Sequence, residues 1–478
     1  MKIRINCLDC RASGQHAAKL GLERQSFAVL LIKSLRATAV CYSLKVFVEM
    51  HMKNLYVMSA VCLACACHSA VAKAEGFAMT QWSARGMALA GGMVGRADDP
   101  SAIAYNAAGI TQLPGTHVMG GFSAVVPRGT IDLEGRDGED VSVSNKFRSL
   151  SAPHAYLSHQ LDERYWLGLG VFSRFGLANR FSDSWAGRYD VTSAKFRTFS
   201  FVPTAAMKVS DVLSFSAGVE IIYASAVMGQ QIPTLRLGSQ YGEDIKMTLD
   251  GTGWGIGAHL GAHLRLNEKL SLGFAYKSPV VLRISGTADF SRQTDNILAE
   301  QGEVPHAIDT NVHSKVRLPE SLAVGLTYRP ADNLSIEVGS VFTRWSAYDS
   351  LNIKFDTDYH SVSKKKWRNG WNFNASVEYE PMDWLALRAG VWHETPVTNE
   401  AHADFMVPGH GRTGVSLGTG FQWERWKIDM GYAHIWVRGQ DYSDSSCVTI
   451  GSSVGSMRSG NSRNLSANVY SATVSYAF

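Results

Sequence analysis

The nine residues at the carboxyl end, 470–478, alternate between two kinds of side chain. Because neighbouring side chains of an extended strand point to opposite faces, this pattern predicts a strand with one apolar face and one small, polar face. An ordinary amphipathic strand of a soluble protein shows the same alternation. The closing strand of an outer-membrane β-barrel also explains the terminal aromatic residue, which would lie in the girdle at the membrane interface. The apolar set is Tyr470, Ala472, Val474, Tyr476 and Phe478, and the other set is Ser471, Thr473, Ser475 and Ala477.

The first 74 residues differ from the rest of the chain. Met52 opens a short basic stretch, residues 55–66 form an uncharged apolar run, and Ala72-Lys73-Ala74 has the small-x-small pattern of a signal-peptidase site. These features predict a signal peptide at 52–74 and a mature chain from Glu75. Residues 1–51 show neither strand alternation nor a cleavage pattern. We interpret them as a translation start assigned too far upstream or as a non-structural extension.

Charge and cysteine content follow the same division. Ten of the 46 Lys and Arg residues but only three of the 42 Asp and Glu residues fall within 1–74. The remaining 36 basic and 39 acidic residues give the mature chain a net charge of −3, against +4 for the whole chain, so nucleic acid is not an expected partner. Of the seven cysteines only Cys447 follows residue 74, which excludes an internal disulfide in the mature chain.

The mature chain contains many short alternating runs and no apolar stretch long enough for a membrane-spanning helix. In hydrocarbon an open sheet edge is forbidden, so strands of this kind must close into a barrel. At roughly ten residues per membrane strand, the chain accommodates about 12–16 strands, and we expect fourteen. Short polar turns are predicted at 162–163, 210–211, 267–268, 331–333, 381–383 and 424–425, facing the periplasm, and long extracellular loops at 229–246, 287–314 and 438–463.

Residues 75–114 have a different texture, with many small side chains and no period-two alternation. Asp99-Pro100-Ser101 predicts the start of a helix, with proline near the first helical position. The predicted fold class is therefore all-β: a transmembrane antiparallel β-barrel at 115–478, with a small helical plug, or hatch, formed by 75–114 in its lumen.

The mature chain resembles the FadL/TodX family of outer-membrane transporters for long-chain fatty acids and other hydrophobic compounds. The resemblance extends from Glu75 to Phe478 and depends on short motifs in a fixed order. They are Gly76-Phe77, 102–109 (AIAYNAAG), 174–177 (RFGL), 185–189 (WAGRY), 318–320 (LPE), 343–346 (TRWS), 394–397 (ETPV) and the closing 476–478 (YAF).

The resemblance implies a monomeric fourteen-stranded barrel in the outer membrane of a Gram-negative bacterium. It implies passive uptake of a hydrophobic ligand through extracellular loops into an internal apolar pocket, with sideways exit at a kinked strand. It places Phe77 against the ligand and makes 106–109 part of the hatch, although this chain has Asn106-Ala107-Ala108-Gly109 where the family usually has Asn-Pro-Ala. Phe478 would be recognised by the barrel-assembly machinery.

A fatty acid requires an apolar tunnel and one or two cations for its carboxylate. Arg368 matches, by position, a basic residue of the family. The surrounding run, residues 364–371, is equally interpretable as a solvated loop that contacts lipopolysaccharide phosphates. Arg174 and Arg188 lie beside aromatic residues such as Trp185, and their surroundings indicate either a capture groove or anchoring at the membrane interface.

Other function classes fit the sequence less well. His259 and His263 would share one face of a strand, but no Gly-x-Ser-x-Gly elbow, phosphate-binding glycine loop or dense metal-ligand cluster accompanies them, so we expect neither an enzyme nor a metal or other cofactor. Uptake of aromatic hydrocarbons is the first alternative to fatty acids. A general polar porin is the second, and it would need an open lumen with opposed rings of charge.

Overall fold

The computed structural model describes residues 76–134, 140–146, 149–236, 240–407, 409–443 and 459–478. The predicted upstream extension 1–51, the predicted signal peptide 52–74, Glu75 and Cys447 lie outside these described residues. Within them, the structure contains no helix whose length and apolar character would let it cross a membrane.

The described chain forms strands β1 to β23 in one large antiparallel sheet and one small hairpin, β8–β9. In six places, two consecutive strands form a single barrel strand that is interrupted by a short break. These pairs are β4/β5, β11/β12, β13/β14, β15/β16, β17/β18 and β21/β22. The strands are β1 Thr116–Glu134, β2 Asp140–Ser144, β3 Leu150–Gln160, β4 Tyr165–Phe172, β5 Gly176–Arg180, β6 Ser193–Lys208, β7 Leu213–Ile232, β8 Leu235–Arg236, β9 Gln240–Tyr241, β10 Ile245–Arg265, β11 Leu270–Lys277, β12 Val280–Phe290, β13 Thr310–Leu318, β14 Ser321–Ala331, β15 Leu334–Thr343, β16 Ser350–Phe355, β17 His360–Lys364, β18 Gly370–Met382, β19 Leu385–Glu394, β20 Gly409–Trp423, β21 Trp426–Gly439, β22 Asp441–Ser443 and β23 Ser459–Ala477.

The sheet closes on itself. β23 pairs with β21 on one side and with β1 on the other, so the ring of strands is closed. When each interrupted strand is counted once and the short β2, β8 and β9 are set aside, the described residues form a barrel of 14 strands. The predicted fold class and strand number are therefore confirmed.

The alternation of side chains follows the barrel wall as predicted. In β23, Tyr470 and Val474 are 51% and 43% exposed, whereas Ser471 and Thr473 are buried on the lumen side. β4 repeats the pattern, because Leu167 is exposed and Trp166 is buried. Apolar side chains thus cover the outside, and small or polar ones face inward.

All six predicted short turns occur where the sequence places them, between consecutive strands at one end of the barrel. The connections at the other end are longer, but they are shorter than predicted. β12 continues to Phe290 and β13 begins at Thr310, within the predicted loop 287–314. Polar residues continue as strand there because backbone pairing, unlike membrane burial, does not require apolar side chains. Which end faces the periplasm stays a prediction.

The plug contains short helices joined by irregular chain, and it lies inside the barrel. Its first helix is capped at the amino-terminal end, since the Ser83 hydroxyl accepts a hydrogen bond from the amide of Gly86. The plug contacts strands around the whole circumference: Ala84 bonds to Thr473 of β23, and Asn106 bonds to Ala262 of β10. The helices are α1 Ala84–Ala88, α2 Ala102–Tyr105 and the loop helix α3 Ile297–Glu300, with 3₁₀ turns at Ala107–Gln112, Trp345–Ala347 and Glu400–His402.

Candidate functional site

The side chain of Phe77, at the start of the described plug, is enclosed by aromatic rings. Its ring is 4.9 Å from that of Trp345, and all five neighbouring rings meet it edge to face. This geometry is favourable because the positive edge of one ring meets the negative face of the next. The other four rings are those of Phe175, Phe196, Tyr348 and Trp367, at 5.6–5.9 Å. We call these five residues the aromatic cage.

Gly76 lets the chain enter the aromatic cage. Its φ of +44° lies in the left-handed region, which side chains disfavour. A Cβ at this position would also stand 2.7 Å from Trp345 and 2.8 Å from Trp367. Both its backbone conformation and its surroundings therefore require glycine.

An apolar cavity extends from the aromatic cage towards the end of the barrel that carries the longer connections. Its empty volume is about 900 Å³, including space that opens to solvent. The mainly apolar lining also includes the charged residues Lys195 and Asp250 of the barrel strands, and Lys365 and Asp404 of the long connections. The apolar lining includes Leu177, Met228, Leu249, Ile284, Val316 and Ile353.

Lys365 and Asp404 form a buried ion pair at the cavity wall, with side chains 3% and 13% exposed. Although burial opposes its charged form, the carboxylate of Asp404 raises the pKa of Lys365 above its ordinary value. A second carboxylate, Asp190, is close by and accepts a hydrogen bond of 3.0 Å from the amide of Phe405. Burial, together with the charge of Asp404, raises the pKa of Asp190 to about 6. The positive charge of Lys365 thus interacts electrostatically with the carboxylates of both Asp404 and Asp190.

The structure places the predicted cation Arg368 away from the cavity wall. Its side chain is exposed, and its backbone amide bonds to the carbonyl of Val397. Lys365, three residues earlier, occupies the wall instead. The sequence indicated the segment that contains Lys365, but a loop has no side-chain periodicity from which the inward residue could be chosen.

Arg174 lies behind the aromatic cage and is fully engaged. Its guanidinium bonds to the Glu220 carboxylate at 2.7 Å and to the carbonyl of Pro319 at 2.9 Å, and it lies 5.1 Å from the ring centre of Phe175. His259 is 3.0 Å from the same Glu220 carboxylate. Arg174 therefore supports the position of Phe175.

Trp185 and Arg188 belong to the connection between β5 and β6. Trp185 is buried, stacks on Phe181 at 4.3 Å and donates a hydrogen bond to the carbonyl of Val191. Arg188 is paired with Asp244 at 2.7 Å and bonds to the hydroxyl of Tyr189. Both residues stabilise this connection, and neither lines the apolar cavity.

The predicted hatch residues 106–109 connect different parts of the plug with one another and connect the plug with the barrel wall. The Asn106 amide donates to the carbonyls of Val94 and Ala262 at 2.9 and 3.0 Å, and its oxygen accepts from the amide of Ala108. Ala107 and Ala108 are buried. A Cβ on Gly109 would stand 2.1 Å from the carbonyl oxygen of Ala97, so only glycine can pack here.

A buried charge network, which sequence reasoning missed, anchors the plug. Arg85 makes a two-pronged contact with the Glu378 carboxylate of β18 at 2.6 and 2.9 Å. Glu378 also accepts from Arg388 of β19, which bonds to Asp429 of β21 at 2.7 Å. The signal available in the sequence was the row of polar residues at every second position of β18, namely Asn372, Asn374, Ser376 and Glu378.

The chain around Phe77 also fills a break in the barrel wall. β3 pairs with β4 over residues 155–160. Within the described chain, the preceding residues of β3, 150–154, form no ladder with β5. At the break, Ala78 forms a β-bridge with Phe175. The amide of Met79 bonds to the carbonyl of Arg174 at 2.9 Å, and the amide of Gly176 to the carbonyl of Phe77 at 3.0 Å.

A second cavity, with an empty volume of about 1060 Å³, lies on the other side of this bridge. Met79, Leu150 and Gly176 contribute to its lining, so it reaches the gap between β3 and β5. The guanidinium of Arg412 lines the same space and donates a 2.5 Å hydrogen bond to the carbonyl of Gly76. Residues 76–79 therefore separate the two cavities.

Comparisons with known proteins agree with this architecture. Residues 65–478 match the family described as outer membrane protein transport protein (OMPP1/FadL/TodX). The chain is 23% identical to the long-chain fatty acid transport protein of Escherichia coli O6:H1 over 81% of this chain and 92% of that one. It is 24% identical to a putative outer membrane protein of Neisseria meningitidis serogroup B, over 77% of this chain and 87% of that one.

Solved structures show the same fold. A FadL homologue from Pseudomonas aeruginosa superposes with a TM-score of 0.72 at 19% identity, covering 84% of this chain and all of that one (100%). The toluene transporter TbuX of Ralstonia pickettii gives 0.63 at 17% identity, covering 84% and 99%. The chain belongs to the OMPP1/FadL/TodX family, and it is a transport protein of the outer membrane rather than an enzyme.

Proposed function

We propose that this protein mediates passive uptake of hydrophobic molecules that carry an anionic head, with long-chain fatty acids as the first candidates. The observation that carries the proposal is the buried ammonium group of Lys365 at the wall of a mainly apolar cavity. An acyl chain would fill the cavity against Phe77, and the carboxylate would meet Lys365 in place of Asp404. A relative named as a long-chain fatty acid transport protein supports this choice.

The proposed route uses both cavities. A ligand enters between the long connections and reaches the aromatic cage. Displacement of residues 76–79 then opens the way to the second cavity and to the gap between β3 and β5, where the ligand leaves sideways into the bilayer. Because transfer of apolar surface out of water is favourable, the acyl chain can follow this lateral route without a water-filled pore.

Aromatic hydrocarbons are the second candidate. Solved relatives are named as toluene transporters, and the aromatic cage offers ring edges and faces to a small aromatic ligand. A hydrocarbon has no group for Lys365 to bind, so this residue distinguishes the two candidates. A general polar porin is less well supported, because the described plug contacts strands around the barrel.

The remaining partner predictions are part of the proposal. The exposed side chain of Phe478 supports recognition by the barrel-assembly machinery. The exposed side chains of Lys364, Lys366 and Arg368 support contact between this loop and lipopolysaccharide. We further propose a monomer, because the closed ladder needs no second chain.

Mass spectrometry of the molecule that co-purifies with the folded barrel tests the proposal, followed by titration with saturated fatty acids of increasing length. Trp345 and Trp367 of the aromatic cage provide the fluorescence signal. Each buried methylene contributes about 0.8 kcal/mol, so affinity should rise roughly fourfold per methylene until the cavity is filled. An affinity that is independent of chain length, or tighter binding of toluene than of any fatty acid, would refute the fatty-acid assignment.

A further inference from the structure

Three neighbouring strands of the barrel wall, β12, β13 and β16, carry a group of cationic side chains. Arg283 of β12 stands directly opposite Lys315 of β13, and Arg317 follows two residues later on the same face. On the next strand, Lys354 stands opposite His313 of β13. We call Arg283, Lys315, Arg317 and Lys354 the outer cation patch, with His313 and His360 at its edge.

The outer cation patch faces away from the lumen. The residues that alternate with its members, such as Leu282, Ile284 and Val316, are buried in the cluster around the aromatic cage. Because alternate side chains of a strand point to opposite faces, the cations point outward, and all four are exposed. None of the four lines the internal cavity, so the patch is separate from the transport site.

Within the described chain, no carboxylate lies within ion-pair distance of any of the four cations. The nearby acids are engaged elsewhere: Asp356 is 3.4 Å from His313, and Glu320, which interacts electrostatically with Arg317, pairs with Arg344 at 2.8 Å. Like charges directly opposite each other on two strands destabilise the pairing. An anion that lies between or above the two side chains would therefore relieve the repulsion in the pair Arg283–Lys315.

The position of the patch indicates the source of that anion. Trp254, which is 61% exposed and contacts Tyr223 at 4.9 Å, stands directly opposite Arg283. Exposed aromatic residues of this kind mark the membrane–water interface. Charged residues on the lipid-facing wall are costly at the midplane of the bilayer and nearly neutral close to the interface. The patch therefore lies at the level of lipid headgroups.

We propose that the outer cation patch binds the phosphate groups of a phosphorylated glycolipid of the outer leaflet, such as the lipid A part of lipopolysaccharide. Guanidinium groups bind phosphate oxygens in pairs, and ammonium groups act as point charges beside them. The patch spans two strand spacings, roughly 10 Å, which accommodates a headgroup with more than one phosphate. This site is on the barrel wall, and it does not depend on the loop cations Lys364, Lys366 and Arg368.

The test compares two variants of the purified full-length mature protein. The patch variant is R283Q/K315Q/R317Q/K354Q. The control variant, R164Q/K269Q/R425Q/K427Q, removes the same charge from the short-turn end of the barrel. Native mass spectrometry measures binding of bisphosphorylated lipid A, of the same lipid after dephosphorylation, and of inorganic phosphate. Faster migration of unheated samples in gel electrophoresis shows that each variant is folded.

We expect the patch variant to bind lipid A about tenfold or more weakly than the wild type, with the control unchanged, because each basic side chain contributes separately to attraction of an anionic headgroup. The dephosphorylated lipid should bind as weakly as lipid A binds to the patch variant. Equal loss in both variants, equal binding of dephosphorylated lipid, or binding of inorganic phosphate as tight as that of lipid A would overturn the proposal. If the patch variant does not fold, R283Q/K315Q with lipid A gives the same comparison.

Discussion

The carbonyl oxygen of Phe77 accepts a hydrogen bond from the amide of Gly176 at 3.0 Å. The residue whose ring occupies the aromatic cage is therefore also a residue whose backbone fills the gap between β3 and β5. In the proposed function, a ligand that displaces the ring would act directly on the segment that separates the two cavities. We therefore expect ligand binding and opening of the wall to be connected through Phe77.

Replacing Phe77 with alanine should weaken binding of a long-chain fatty acid by about tenfold, because a central aromatic anchor of a binding site is lost. Tryptophan fluorescence titration measures the affinity. Phe122→Ala is the matched control, since Phe122 is exposed on the outer wall. Unchanged affinity in Phe77→Ala would remove this residue from the site.

A disulfide between positions 78 and 175 should abolish uptake, and comparison with the reduced form of the same variant separates the effect of the cross-link from the loss of the Phe175 ring. Ala78 and Phe175 are bridge partners across the break, at a distance that a disulfide can span. The variant is made in a Cys447→Ser background, and uptake of a labelled fatty acid is measured in cells. Reduction provides the control, because the same protein should then transport. Normal uptake by the oxidised form would refute movement of residues 76–79.

Lys365→Met should lower the affinity for a fatty acid by about 10- to 100-fold and leave the affinity for the corresponding alcohol unchanged, because only the carboxylate needs a charged hydrogen-bond partner. Lys365→Arg should recover part of the loss. Lys366→Met, at an exposed neighbouring position, is the control. Parallel loss of acid and alcohol binding would show that Lys365 only supports the fold of the loop.

Glu378→Ala should loosen the plug, because Arg85 and Arg388 would remain buried without their shared carboxylate. Breaking a buried ion pair from one side costs about 3–5 kcal/mol. Single-channel recording in planar bilayers should show larger and more frequent openings than in the wild type. Glu380→Ala, an exposed residue of the same strand, should behave like the wild type. Conductance at the wild-type level in Glu378→Ala would contradict the anchoring role.

The loop contact at Asp190 should depend on pH. Its pKa is raised to about 6, so the docked loop binds a proton more tightly than the undocked one. The stabilisation is therefore complete below the ordinary pKa of about 4 and is lost as the pH rises through about 6. Hydrogen exchange around Phe405, corrected for its intrinsic pH dependence, should accelerate from pH 5 to pH 7.

Asp190→Asn should remove this dependence, because the amide cannot ionise. Asp183→Asn, which alters an exposed ion pair with Lys246, should retain it. If wild-type exchange around Phe405 followed the intrinsic pH dependence alone, the contact between Asp190 and Asp404 would have no influence on the loop.

The sequence predicted the wall well and the interior poorly, for physical reasons. Tyr470 and Thr473 were assigned to opposite faces correctly because the period of a strand is strictly two. The choice of Arg368 over Lys365 had no such guide, since a loop places its side chains by contacts with distant residues. Asp404, the partner of Lys365, is 39 residues away in the chain. Only the folded barrel brings Arg85 to Glu378.

The bridge at Ala78 has a consequence for the integrity of the membrane. Two strands that part within hydrocarbon leave amides and carbonyls without partners, and each such group is expensive there. At the gap between β3 and β5, residues 77–79 provide the backbone hydrogen bonds that β3 does not make with β5. We therefore expect a proteolytic cut within residues 76–79 to leave the backbone groups of Arg174 and Gly176 at the gap without partners, although every strand of the wall is unchanged.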